Sequence, residues 1–194
     1  YASARLRDDE DVVLAAVSNR GWALQSASER LRAHRLTVLA ACQENGLGLL
    51  YAADSLKADR EVVLAAVATY GAALGWASEE LRADREVVLA ALAADGEALR
   101  FAADELRADK DCVLAACTQS GWALEFASDF YGDRDVVLAA TGTEGGAMYF
   151  AAEELVRDRD VVLAAVSAPH EDPWREATAL HFAADFQGDR EVVL

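Results

Sequence analysis

Val-Leu-Ala-Ala or a close remnant returns along this chain with its leucine at Leu14, Leu39, Leu64, Leu89, Leu114, Leu138, Leu163 and Leu194, at successive spacings of 25, 25, 25, 25, 24, 25 and 31. A near-constant period of this length makes each unit one supersecondary element that borrows its neighbours' apolar faces. The expected fold is therefore all-α, an α-solenoid built from two-helix repeats, in a single repeat domain. The repeats span 9–33, 34–58, 59–83, 84–108, 109–132, 133–157 and 158–188, with partial copies at 1–8 and 189–194. Tyr1-Ala2-Ser3-Ala4-Arg5-Leu6 aligns with Trp76-Ala77-Ser78-Glu79-Glu80-Leu81, and Glu191-Val192-Val193-Leu194 stops inside another copy. Both ends cut a repeat without a polar end unit, so an internal fragment of a longer chain is expected.

One repeat shows how its elements are signalled. Asp59 is placed to cap a helix through Val62-Val63-Leu64-Ala65-Ala66-Val67, with Glu61 adding negative charge where the helix dipole is positive. Gly71 has the mark of a C′ residue in the left-handed region, and Gly21, Gly46, Gly96, Gly121 and Gly145 recur at its offset. A second helix is expected over Ala72–Arg82, with Leu74, Ala77 and Leu81 at i, i+3 and i+7 and Trp76 widening the stripe. The first helix is apolar over most of its circumference and should be buried between neighbours. The second shows Glu79, Glu80 and Arg82 to water. Paired alanines such as Ala65-Ala66 and Ala90-Ala91 let helix axes approach closely. Each repeat has too little apolar surface to persist alone.

The charge balance removes whole classes of function. With 18 Lys and Arg against 34 Asp and Glu, the net charge is −16, which opposes nucleic acid and anionic membrane surfaces. No uncharged run reaches the roughly 20 apolar residues of a membrane span, the longest being Val62 to Ser78. Three cysteines, Cys42, Cys112 and Cys117, form no disulfide framework, so a reducing intracellular compartment, cytoplasmic or organellar, is expected. Cys112 and Cys117 fill the slots of Val62 and Val67 and read as small hydrophobes.

No metal site is expected, because His34, His170 and His181 are scattered. His34 stands where other repeats carry the capping Asp, which weakens that cap. Adjacent carboxylates such as Glu79-Glu80 do not converge on a substrate, and no phosphate cradle or nucleophile elbow occurs. Neither catalytic residues nor a cofactor are expected, so the chain reads as a non-enzyme. The basic residues Arg35, Arg60, Arg85, Lys110, Arg134, Arg159 and Arg190 follow the cap position, with an acid beside nearly every one.

Departures from the period are the sharper functional pointers. Between Leu163 and Leu180 the usual spacing of 10 becomes 17, and the added segment holds Pro169, His170, Pro173 and Trp174. Such a loop is either a projecting partner contact or a tolerated insertion. A residue is missing at Asp129-Phe130-Tyr131-Gly132, which should adjust the superhelical path locally. Trp22 and Trp122 follow the turn glycine, where other repeats have Leu47, Ala72, Glu97 and Gly146. They are contact anchors if exposed and inter-repeat packing if not.

The pattern Asp-Arg-x-Val-Val-Leu-Ala-Ala-Val-x-x-x-Gly-x-x-Leu-x-x-Ala-Ser/Ala-x-x-Leu resembles the repeats of domain-of-unknown-function family 4116. Asp84 to Ala91, with Gly96, Leu99, Phe101, Ala102 and Leu106, matches closely, and the likeness covers essentially the whole chain. It implies a helical repeat fold and no catalytic residue, in a family met largely in algae, other protists and some intracellular bacteria. The insertion around Pro169 departs from that pattern. The expected role is a protein-binding scaffold or linker subunit of a larger assembly, in an alga an organellar or photosynthetic one. The alternative is a regulatory or targeting domain attached to an enzyme or effector.

Overall fold

The computed structural model of the protein describes residues 3–168, and no strand occurs among them. Among the described residues seven long helices mark the repeats: α1 (Glu10–Val17), α2 (Arg35–Glu44), α3 (Arg60–Thr69), α4 (Arg85–Ala94), α5 (Lys110–Gln119), α6 (Arg134–Thr143) and α7 (Arg159–Ser167). Each except α2 starts behind an aspartate whose carboxylate accepts from first-turn amides. At α4, Asp84 Oδ1 accepts from Glu86 N at 2.9 Å and Val87 N at 3.1 Å. At α2 the residue is His34, whose ring makes no cap bond and instead lies 2.9 Å from Thr37 Oγ1.

Burial follows a stripe on each long helix. In α3, Val62, Val63, Ala66 and Val67 are fully buried, whereas Leu64 and Ala65 on the adjoining side are half-buried. The helix stops at Tyr70, which turns extended at φ −151° while its N–H still bonds Ala66 O at 2.9 Å. The glycine that follows is not left-handed. No described residue has positive φ, which corrects the C′ reading of Gly71. Its reason is contact: a Cβ on Gly71 would stand 2.6 Å from Ala91 O and 2.7 Å from Asp95 Cβ, both in the next repeat. Gly21, Gly46 and Gly121 press still closer on Ala41 O, Ala66 O and Ala140 O. In every case the oxygen belongs to the second alanine of the following Ala-Ala pair.

The second half of each repeat differs from the single helix expected over Ala72–Arg82. Gly71–Trp76 is a 3-10 helix, Ala77 and Ser78 are extended, and a one-turn α-helix occupies Glu79–Arg82. In a continuous α-helix Ser78 N–H would bond Leu74 O; here it bonds Lys57 O of the preceding repeat at 2.9 Å. The same inter-repeat bond runs from Ser28 to Arg7, Ala53 to Arg32, Ala103 to Arg82 and Ala152 to Tyr131. Gly71, Leu74 and Ala77 are buried at intervals of three, the period of a 3-10 helix. In repeat 34–58 the corresponding chain forms a short α-helix, Gly48–Tyr51.

The chain divides into two units, Tyr1–Ala103 and Asp104–Leu194. In the first, α1, α2, α3 and α4 pack side by side in chain order, the arrangement of an α-solenoid. Gly21–Ser26 packs on α1 and α2, and Gly71–Trp76 on α3 and α4, so each of these two segments covers the seam between its own long helix and the next. In the second unit α5, α6 and α7 stand in the same file, with Gly121–Phe126 on α5 and α6 and Gly145–Phe150 on α6 and α7. Leu24, Leu74, Leu99, Leu124 and Met148 bring the outer layer into the core and are fully buried.

Candidate interaction face

Two polar edges emerge from this stack, and they do different things. Along the start of the long helices, the cations Arg35, Arg60, Lys110 and Arg134 reach forward to the next repeat. Arg60 donates to Asp84 at 3.1 Å and to Glu86; Arg35 does the same to Asp59 at 2.7 Å and to Glu61. In the second unit Lys110 pairs with Asp133 at 2.8 Å and Asp135 at 3.0 Å, and Arg134 with Asp158 at 2.9 Å and Asp160 at 2.5 Å. These bonds hold the cap carboxylates of Asp59, Asp84, Asp133 and Asp158 below their usual range, the cation's hydrogen bond being the largest cause in each. That edge is engaged in joining repeats.

The other edge carries the short helices and the rings that end the 3-10 segments. In the first unit the helices Glu29–Arg32, Asp54–Lys57 and Glu79–Arg82 each open on a carboxylate. The rings of Tyr51, Trp76 and Phe101 are half-buried. Gly75 leaves room for the last of these, since a Cβ there would meet Phe101 Cδ1 at 2.8 Å. Glu29, Arg32, Tyr51, Ala52, Ala53 and Asp54 line a hollow of about 330 Å³. In the second unit Asp104, Arg107, Phe126, Ala127, Ser128 and Asp129 line a hollow of about 250 Å³. Each of these six positions lies 75 residues, three repeats, beyond its counterpart in the first. The same small concavity is thus built twice from a carboxylate pair, a guanidinium and an aromatic wall.

The rim carboxylates are largely in water: the side chain of Asp54 is 98% exposed and pairs with Lys57 at 3.1 Å, and Asp104 pairs with Arg107 at 2.5 Å. Surface pairs of this kind exchange readily with competing charges. Arg32 and Arg107 both have an Nε sealed from solvent, so the guanidinium forms a wall and does not swing freely.

The two tryptophans singled out by their place after the turn glycine lie in different surroundings. Trp22 is 45% exposed, with the guanidinium of Arg20 at 5.8 Å from its ring centroid. Trp122 is half-buried and meets Phe150 edge-on at 5.9 Å, while its backbone N–H donates to Glu144 Oε2 at 3.0 Å. Phe150 also touches Tyr131 at 6.0 Å and Tyr149 at 5.6 Å, and Tyr149 is 74% exposed. Pro169, His170, Pro173 and Trp174 lie outside the described residues. Cys42, Cys112 and Cys117 are buried thiols, and burial pushes Cys42 and Cys117 up to about 12. Among the described residues no group of three or more His, Cys, Asp or Glu is placed to hold a metal ion. No described helix is long and apolar enough to cross a membrane.

Reading the sequence alone missed the repeated hollow, although its signal was present. The ring before each Ala-Ala or Ala-Ser recurs as Tyr51, Trp76, Phe101, Phe126 and Phe150, at the period of the repeat.

The family model described as Domain of unknown function (DUF4116) matches residues 1–32, 34–82 and 84–131. That is more than half of the chain, and the chain belongs to this family. The match ends where the repeat loses one residue, while α6 and α7 continue the same capped Val-Val-Leu-Ala-Ala pattern. Neither a curated protein nor a solved structure matches the chain.

Proposed function

We propose that this member of the DUF4116 family is a non-catalytic protein-binding scaffold, and that it binds through the edge of short helices and half-buried rings. The observation that carries the reading is the duplication of one hollow, at the same six repeat positions, in each of the two units. Core packing needs no exposed carboxylates and no concavity, yet both recur three repeats on. Repeat proteins recognise partners along such edges by summing small equivalent contacts. At the start of the long helices the charged side chains are occupied in joining repeats, whereas the carboxylates of the short helices are free to meet a partner.

Crosslinking in gently prepared extracts of the native source, with a carboxylate-reactive reagent and peptide mapping, tests the reading. Intermolecular crosslinks should concentrate at Glu29, Asp54, Glu79 and Asp104. A protein that sediments as a free monomer, with no intermolecular crosslink at those positions, overturns it.

A further inference from the structure

We propose that His34 is a proton-operated latch between repeats 9–33 and 34–58. Neutral, it is held inside its own repeat by Thr37; protonated, it crosses to Glu10 and ties α2 to α1. Four positions at this junction depart from the repeat together. The residue after the earlier cap is Glu10, where Arg35, Arg60, Lys110 and Arg134 stand elsewhere, and the cap it faces is His34 in place of an aspartate. Leu36, 61% exposed, takes the slot of the second carboxylate, which is Glu61, Glu86, Asp135 and Asp160 at the junctions those cations bridge. Thr37 takes a buried slot that is Val62, Val87, Cys112, Val136 and Val161 in later repeats. The polarity of the junction is thus reversed: the anion sits on the earlier repeat, and the group that can become a cation sits on the later.

Both contacts of the latch are made by one atom. Nδ1 of His34 lies 2.9 Å from Thr37 Oγ1 and 3.7 Å from Glu10 Oε1. Thr37 is fully buried, and a buried hydroxyl must place its proton on an acceptor. Unprotonated Nδ1 is that acceptor, so the Thr37 contact selects the neutral ring. On protonation Nδ1 becomes a donor, and Thr37 can turn to a carbonyl of its own helix, as Thr141 does to Val137 O at 2.8 Å. The positive end of the α2 dipole disfavours a cation at the cap, which drives the charged ring towards Glu10. Charged groups on the neighbouring elements are committed elsewhere: Arg35 to Asp59 and Glu61, Arg30 to Asp8 at 3.0 Å, and Asp9 to the first turn of α1, while Glu29 and Arg32 line the first hollow. The side chains of His34 and Glu10 are 33% and 45% exposed, so protons reach the pair. Imidazole changes charge between about pH 5 and 8, a window in which carboxylates and guanidinium groups as classes do not.

Native-state hydrogen exchange on the whole chain, corrected for the intrinsic pH dependence of exchange, tests this at about pH 7.5 and about pH 5.5. Protection of the α1 amides relative to those of α3 should rise about two- to fivefold at the lower pH, the range of an exposed ion pair. Glu10→Gln should abolish that rise. Glu10→Arg combined with His34→Asp installs the pair of the later junctions and should leave α1 equally protected at both pH values. Nitrogen-15 spectra of the imidazole should show Nδ1 unprotonated at the higher pH, a preference that Thr37→Val removes. Relative protection of α1 that does not change with pH, a rise that survives Glu10→Gln, or a protonated Nδ1 at about pH 7.5 overturns the proposal.

Discussion

Gly71 lies against the carbonyl of Ala91 so closely that even one methyl group has nowhere to go, with the oxygen 2.6 Å from where a Cβ would stand. The contact joins the start of one repeat's 3-10 segment to the end of the next repeat's long helix, and backbone cannot retreat as a flexible side chain can. Gly71→Ala is therefore expected to cost about 2–3 kcal/mol in urea unfolding, as overpacking does. Gly71→Asn discriminates the cause. Asn tolerates the left-handed region, so a left-handed C′ would accept it, whereas a steric contact rejects it at least as strongly as Ala.

Arg60 and Asp84 predict how the stack responds to acid. The folded Asp84 carboxyl lies below its unfolded value near 3.8, first because of the Arg60 hydrogen bond. A depressed carboxylate contributes stability that is present above the unfolded value and is lost as pH falls through the folded one. Asp59, Asp133 and Asp158 act in the same direction. Thermal melts should hold steady from neutral pH down to about 4 and then fall steeply towards pH 2. A double-mutant cycle on Arg60→Gln and Asp84→Asn should give a coupling of only about 0.2–1 kcal/mol, shrinking in high salt, because the pair is partly in water.

The cysteines should be inert in the folded chain. Desolvation raises Cys42 and Cys117 to about 12, and Cys112 is buried with them. A thiol-specific reagent at about pH 8 should label none of the three until denaturant is added, because the thiolate is the reactive form. Fast labelling of the native protein would contradict their place in the core.

Trp22 and Trp122 occupy one offset but should answer differently to removal. Trp122→Ala takes a ring off Phe150 and should cost about 1–2 kcal/mol, near the area and ring-pair value for a half-buried side chain. Trp22→Ala, at 45% exposure, should cost under about 1 kcal/mol. Chemical denaturation of the two variants checks this, and equal losses would contradict the packing described.

Local signals were legible in the sequence wherever one residue acts on its own helix. Asp59 announces its cap, and the Val-Val-x-x-Ala-Val spacing announces the buried stripe of α3. What stayed hidden depends on the neighbouring repeat. Gly71 was ambiguous because glycine serves both a left-handed turn and a close approach, and only the position of Ala91 O decides. Ala72–Arg82 read as one helix because Leu74, Ala77 and Leu81 satisfy the α period. Gly71, Leu74 and Ala77 at intervals of three were the competing signal, and the bond from Ser78 to Lys57 O settles it. Arg60 beside Glu61 looked like a locally balanced surface charge, yet its partners lie one repeat ahead. The hollows were hidden for the same reason, since each is lined by residues of two successive repeats.

The most direct test of the account is the helical content of a tandem series, one to four copies of Asp59–Ala83, followed by far-ultraviolet circular dichroism. Gly71, Ser78 and Arg60 all find their partners in an adjacent repeat, so the single copy should be unstructured and helicity per residue should climb steeply as copies are added. A single copy as helical per residue as four would show that the repeat holds itself together, and would contradict the account.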